Sequence, residues 1–187
     1  MRIVVDPGHG GHDPGAVNLF VGVEEKTLNL AIAIALYGLL LDAGHSGRMT
    51  RTDDRFLVLS DRVAIANVQR PDAFISIHCN AAANKDAFGM EVWTSPGKTR
   101  SDALATFIGE ALAATFPAVP MRRDDSDGDL DKEGRLYVLT MTNCPAVLVE
   151  CGFLSNDAEA LRLQDPKTIR SLARAIADGI AAWAITT

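Results

Sequence analysis

A small set of polar residues in this sequence has the types that a metal-dependent hydrolase requires. They are two histidines and a glutamate that each follow an apolar run, and a pair of adjacent glutamates ahead of a helical pattern: His9, His78, Glu150, Glu24 and Glu25. Two imidazoles and one carboxylate are the ligand set of a catalytic zinc ion that keeps a coordination position open. Such an ion lowers the pKa of water to about 7, and a separate carboxylate can carry the proton to a leaving amine. The chemistry needs two histidines and two acids, which this set contains.

Three apolar runs place the polar residues at the ends of predicted strands. The first, Ile3–Val5, leads into Asp-Pro-Gly-His-Gly-Gly, where the glycines let a ligand approach the main chain. The second and third are Ala73–Asn80 and Pro145–Phe153, both rich in the residues that buried strands prefer. A carboxylate directly after four apolar residues, as at Glu150, is costly to bury unless it is paired or functional.

Helical and strand patterns alternate along the rest of the chain. Apolar spacing predicts helices over Glu25–Asp42, Leu59–Val68, Ser101–Phe116 and Lys167–Ala184, and another helix from Asn156–Asp157. It also predicts a strand at Gly89–Thr94 and a weaker one at Gly47–Arg51. This alternation predicts an α/β fold in which a twisted, mainly parallel sheet is flanked by helices on both faces. We expect one catalytic domain over residues 1–187, with its site beyond the carboxyl ends of the strands.

Composition excludes several classes of protein. The chain has 187 residues, 48% hydrophobic and 22% charged, which is typical of a soluble globular domain. Its net charge of −6 argues against a general nucleic-acid binder. The three cysteines form no C-x-x-C pair and are predicted to be buried. No run is long enough for membrane insertion or for a signal-peptide core, so we expect synthesis in the cytoplasm.

An acidic segment, Val119–Glu133, has almost no apolar residues and is predicted to be a solvated loop. Its D-x-D-x-D pattern resembles part of a calcium loop, but the helix-loop-helix frame of an EF-hand is missing.

Five ordered blocks of the sequence resemble those of the zinc-dependent N-acetylmuramoyl-L-alanine amidases of the amidase type 3 family, found as bacterial autolysins and phage endolysins. The blocks span residue 3 to about residue 156 and read VVDPGHGGHDPGAV, EKTLNLAIA, TRTDDRFLVLSDRVAIAN, FISIHCNAA and PAVLVECGFLSN. The resemblance implies a bacteriolytic hydrolase that binds one Zn²⁺ per chain and cleaves the amide between the muramic lactyl group and L-alanine of peptidoglycan.

The resemblance also implies roles for individual residues. His9, Glu25 and His78 match the zinc ligands, and Glu150 in L-V-E-x-G-F matches the catalytic acid. Glu25 is preferred to Glu24 because it directly precedes Lys in the E-K-x-x-N-L block.

Four further residues are expected near the substrate, and a fifth, Cys151, departs from the family pattern. His12 is a candidate loop contact, Arg51 and Asn80 are candidates for shaping the pocket through hydrogen bonds, and Arg135 could hold a carboxylate of the stem peptide. Cys151 stands where a small residue is usual, and we interpret it as packing.

Two alternatives remain open from the sequence. One is a zinc metallopeptidase acting on small peptides, and the other is a non-catalytic cell-wall binding module.

The segment between Pro117 and Leu136 is too short and polar for the blocking helix of the periplasmic division amidases. We therefore expect an enzyme that is not self-blocked. We also expect a monomer that acts on the bacterial cell wall, as a phage endolysin or as a domain of an exported autolysin.

Overall fold

The computed structural model describes residues 1–126 and 128–186, in which six helices and eight strands alternate. The helices are α1 (Glu25–Asp42), α2 (Leu59–Gln69), α3 (Ser101–Thr115), α4 (Tyr137–Thr140), α5 (Asp157–Gln164) and α6 (Pro166–Ala184). The strands are β1 (Arg2–Pro7), β2 (Val17–Asn18), β3 (Val23–Glu24), β4 (Ser46–Met49), β5 (Ala73–Asn80), β6 (Glu91–Thr94), β7 (Lys132–Glu133) and β8 (Ala146–Phe153).

Six strands form one mainly parallel sheet in the order β4-β1-β5-β8-β6-β7. Strands β4, β1, β5 and β8 run parallel, whereas β6 pairs antiparallel with β8 and parallel with β7. The short strands β2 and β3 make a separate hairpin just before α1. The predicted α/β fold with a mainly parallel sheet is confirmed.

The two faces of the sheet are covered unequally. Ile75 and Val149 belong to a large core cluster that includes residues of α1, α3 and α6. Phe74 and Leu148 point to the other face, where a smaller cluster includes residues of α2 and α4. Because α4 has only four residues, this second face stays partly open toward the carboxyl ends of the strands.

Local sequence explains where most of the elements begin and end. Helix α1 and strand β5 have the predicted bounds, and α5 and α6 begin at the caps Asn156 and Asp165, whose side chains accept main-chain N–H groups. Among the described residues, no helix combines the length and apolarity needed to span a membrane.

The predicted loop at 119–133 is only partly as expected. Lys132–Glu133 forms β7, and Leu130 and Asp131 are buried, so the end of this segment is part of the sheet rather than solvated. Asp127, the middle of the D-x-D-x-D pattern, lies outside the described residues.

Candidate active site

The register of the sheet aligns polar residues across three strands on its partly open face. His78 of β5 is the register partner of Glu150 of β8, and Glu150 is in turn the partner of Glu91 of β6. The loop after β1 continues this row, because the Gly8 N–H donates to the Ile77 carbonyl at 3.0 Å. Neighbouring positions of one register point to the same face, so the sheet itself brings these groups together.

His9, Glu25 and His78 form a compact cluster at this end of the sheet. Their ligand atoms all lie within 4.8 Å of one another, and within the described ranges this is the one group of three or more such side chains suited to a metal ion. His9 Nε2 lies 3.1 Å from Glu25 Oε2, and His78 Nδ1 lies 3.0 Å from Glu25 Oε1. Glu24, the alternative left open by the sequence, is exposed and pairs with Lys26 instead.

The Glu25 carboxylate is held by main-chain and side-chain donors. Glu25 is the first residue of α1 and is 4% exposed. Its Oε2 accepts the Ala16 N–H at 2.9 Å, and its Oε1 accepts the Cys79 N–H at 3.1 Å and the Asn29 amide at 3.0 Å. The carboxylate is therefore fixed before any ligand binds.

Two glycines make room for the cluster. A Cβ atom at Gly8 would lie 2.1 Å from Cε1 of His78, so the His78 ring packs directly on the Gly8 main chain. A Cβ atom at Gly15, whose φ is +67°, would lie 2.4 Å from Glu25 Oε2. Side chains at either position would displace a member of the cluster.

Contacts within the cluster shift the pKa values of His9 and Glu25 far from their usual ranges. Burial opposes the charge on His9, but the hydrogen bonds and negative charges of Glu25 and Asp13 outweigh it and raise the pKa of His9 to about 9. Burial likewise opposes ionisation of Glu25, yet hydrogen bonds from His78 and His9 hold its pKa well below the usual range. Since a metal ligand must be neutral imidazole, metal binding by His9 at pH 7 would release a proton.

Glu150 stands beside the cluster with a different environment. Its Oε2 is buried and has no hydrogen-bond partner within the described part of the chain. Burial raises the pKa of Glu150 to about 7; the charges of Glu25 and Glu91 act in the same direction, and His78 opposes them. A carboxyl group with a pKa near neutrality, next to a cluster suited to a metal ion, can accept and return a proton.

Glu91 was not predicted; it is buried and lies at the centre of a polar network. Its Oε1 accepts hydrogen bonds from Arg122 at 2.8 Å and Lys132 at 2.9 Å, and its Oε2 accepts them from Asn80 and Trp93. Both cations belong to the acidic segment 119–133, which is thus anchored beside Glu150. The sequence did contain a signal for Glu91, because it is an acidic residue within the predicted strand 89–94.

An apolar cleft of about 710 Å³ opens directly onto the cluster. His9 and His78 lie at one end and Leu148 contributes to its lining. The remaining lining comes mainly from the segment that leads into α2 and from the start of α4: Phe56, Leu57, Val58, Leu59, Leu136, Tyr137 and Val138. An apolar cleft with a few polar groups at one end is typical of a ligand-binding site.

Comparison with known proteins agrees with this geometry. Residues 3–182 match the family described as N-acetylmuramoyl-L-alanine amidase. The chain belongs to this family. The sporulation-specific amidase of Bacillus subtilis is 35% identical over 182 residues, which cover 96% of this chain and 67% of that protein.

Solved structures of amidases are also similar over the whole chain. The N-acetylmuramoyl-L-alanine amidase of Clostridium difficile 630 is 31% identical with a TM-score of 0.91, over 100% of this chain and 97% of that one. The catalytic domain of CwlV from Bacillus (Paenibacillus) polymyxa var. colistinus is 33% identical with a TM-score of 0.86, over 100% of both chains. The resemblance found in the sequence is confirmed: this chain is a peptidoglycan amidase whose His/Glu/His cluster is consistent with a zinc site.

The remaining candidate residues of the amidase lie at different distances from the cleft. The His12 ring is exposed and lies 4.1 Å from the ring of Phe56, at the cleft wall. Asn80 binds Glu91 in the polar network, and Arg135 is exposed next to the cleft residue Leu136. Cys151 packs in the core on the face opposite Glu150, as the packing interpretation predicts.

Arg51 has a structural position rather than an exposed one. It is fully buried, and its guanidinium donates to the carbonyls of Pro7, Gly8, Lys26 and Asp53. A side chain with no exposed surface cannot touch a substrate in this conformation. Arg51 thus holds the main chain of the loop that carries His9 and of Lys26, the residue after Glu25.

A second buried arginine of the amidase, Arg62, was missed by the sequence analysis. It donates to Asp6 Oδ1 at 2.9 Å, to the Pro7 carbonyl at 2.6 Å and to the His9 carbonyl at 2.7 Å. Asp6 is 1% exposed and also accepts hydrogen bonds from Thr50 and Ser76. Arg62 therefore holds together the end of β1 and the loop that carries His9.

Removing this buried cation should destabilise the fold. We expect Arg62→Met to lower the free energy of unfolding by about 3–5 kcal/mol, because it leaves the Asp6 carboxylate buried without its counter-ion. Urea unfolding measures the change. The matched control is Arg174→Met, which removes an exposed pair with Asp178 and should cost less than about 1 kcal/mol. A loss below about 1 kcal/mol for Arg62→Met would show that the buried pair is not important for stability.

Proposed function

We propose that the amidase binds one zinc ion through His9, Glu25 and His78 and uses Glu150 to move the proton during cleavage of the lactyl–L-alanine amide. The observation that carries the proposal is the donor set itself. The ligand atoms of two imidazoles and one carboxylate lie within 4.8 Å of one another, and these are the three protein ligands that a catalytic zinc site with an open position would use.

When bound, zinc acts as a Lewis acid that polarises the amide carbonyl and acidifies water. Glu150 accepts the proton from the attacking water as the carbon–oxygen bond forms. It then returns this proton to the nitrogen of L-alanine as the carbon–nitrogen bond breaks. The products are the free lactyl carboxylate and a peptide with a free N-terminal alanine.

The position of Glu150 supports this role. It lies beside His78 in the neighbouring strand, and a rigid sheet holds both residues more precisely than loops would. Its buried Oε2 lacks a partner, and a raised pKa lets it exchange a proton near neutral pH. The cleft between Phe56 and Tyr137 supplies an apolar surface for the substrate next to these groups.

One chain contains every residue of the proposed machinery. His9, Glu25, His78 and Glu150 all come from the same sheet and its flanking loop and helix, so we propose that the monomer is the working unit.

Digestion of purified cell wall tests the proposed reaction. We expect new N-terminal alanine without new reducing sugar ends, one zinc per chain, and loss of digestion with a chelator that zinc reverses. Cleavage between amino acids of the stem peptide would instead indicate a metallopeptidase. Wall binding without cleavage would indicate a binding module, and cleavage indifferent to the chelator would remove zinc from the proposal.

A further inference from the structure

We propose that Asp13 is a positioning residue that orients His9 and selects which of its ring nitrogens faces the metal. This inference rests on the proposed zinc site. The two nitrogens of His9 have different partners: Nδ1 lies 2.8 Å from Asp13 Oδ2, and Nε2 lies 3.1 Å from Glu25 Oε2. The second nitrogen therefore points into the cluster while the first points away from it.

The main-chain conformation of the loop brings Asp13 close to His9. Its φ is 59°, in the left-handed region that non-glycine residues rarely adopt. The turn is closed by main-chain hydrogen bonds between Gly10 and Asp13 in both directions, at 3.0 and 3.1 Å. This pairing brings the Asp13 side chain back over the His9 ring.

Asp13 is itself held in place. Its Oδ1 accepts the Gly15 N–H at 3.1 Å, which leaves Oδ2 directed at His9. A carboxylate that accepts the Nδ1–H bond fixes the tautomer with a lone pair on Nε2 and makes that nitrogen a stronger ligand. The second histidine is oriented differently, by packing of the His78 ring on Gly8.

Zinc affinity of an Asp13→Asn variant tests this role. An amide keeps the size of the side chain but carries no charge, and its NH₂ group can donate to Nδ1 and favour the wrong tautomer. We expect Zn²⁺ to bind about 10- to 100-fold more weakly, as is typical when the partner of a ligating histidine is lost. Competition with a chromophoric chelator measures the dissociation constant without any need for amidase activity.

The matched control is Asp54→Asn, in the loop between β4 and α2. Asp54 also accepts a main-chain N–H, from Gly11, and pairs with Lys26, but it has no contact with His9. Its zinc affinity should stay within about twofold of the wild type. If the zinc affinity of Asp13→Asn is also within about twofold of the wild type, the role of Asp13 is wrong but the proposed zinc site stands. If the wild-type chain binds no zinc, both the role of Asp13 and the proposed zinc site are wrong.

A spectroscopic measurement on the wild type covers the case in which the variant does not fold. In ¹⁵N NMR spectra of the zinc-loaded protein, we expect His9 Nδ1 to carry hydrogen and Nε2 to be bound to the metal. A purely structural role of Asp13 makes no demand on the tautomer. The opposite assignment of the two nitrogens would therefore overturn the inference.

Discussion

Glu150→Gln should abolish most of the digestion of purified cell wall while leaving the protein folded and loaded with zinc. We expect the rate to fall by about 10²- to 10⁴-fold, the usual contribution of a positioned general acid–base group. The amide of glutamine has nearly the same shape as the carboxyl group but cannot accept the proton of the attacking water. Metal content should not change, because Glu150 lies outside the His9–Glu25–His78 cluster.

Glu24→Gln provides the matched control for this experiment. Glu24 is also a glutamate near the site in sequence, but it is exposed and its carboxylate forms an ion pair with Lys26. Its variant should digest cell wall at close to the wild-type rate. Full activity of Glu150→Gln would assign proton transfer to another group, and loss of zinc from it would mean that Glu150 supports the metal instead.

Periodicity along the chain predicted the main elements of this fold well. The 18 residues of α1 and the eight of β5 have apolar patterns long enough to fix their ends. The two-residue strands β2, β3 and β7 and the four-residue α4 are too short to show any period. The antiparallel direction of β6 could not be predicted either, because it depends on how the chain returns to the sheet and not on local sequence.

The candidate site could be predicted from sequence only where motifs were specific. His9, Glu25, His78 and Glu150 came from ordered blocks that resemble one family, and the structure brings the first three together and places Glu150 next to His78. Their supporting partners were missed because hydrogen bonds between distant residues follow from tertiary register. Arg62 reaches Asp6 across 56 positions of sequence, and Lys132 reaches Glu91 across 41.

Arg51 was predicted to shape the pocket through hydrogen bonds, but the groups that it binds follow from the tertiary structure and could not be read from the sequence. Its guanidinium is enclosed by four main-chain carbonyls, those of Pro7, Gly8, Lys26 and Asp53. Buried main-chain carbonyls need hydrogen-bond donors, and arginine has five N–H groups for this purpose. The same need explains Arg62, so the glycine-rich loop and its two arginines form one structural unit.

His78→Ala should remove the metal and, with it, the activity. The variant loses one of three ligands, so we expect zinc affinity to fall by more than about 100-fold, the upper end of what loss of a supporting residue costs. Protein purified without added metal should then contain little zinc and should not digest cell wall. Elemental analysis per chain measures the first effect, and release of N-terminal alanine measures the second.

His45→Ala is the matched control, since His45 contacts the amino group of Met1 and lies outside the cluster. The unfolding midpoint of both variants separates loss of the ligand from loss of the fold. A His78→Ala chain that is folded and still holds one zinc would remove His78 from the ligand set, and the remaining pair, His9 and Glu25, would then need a different third donor.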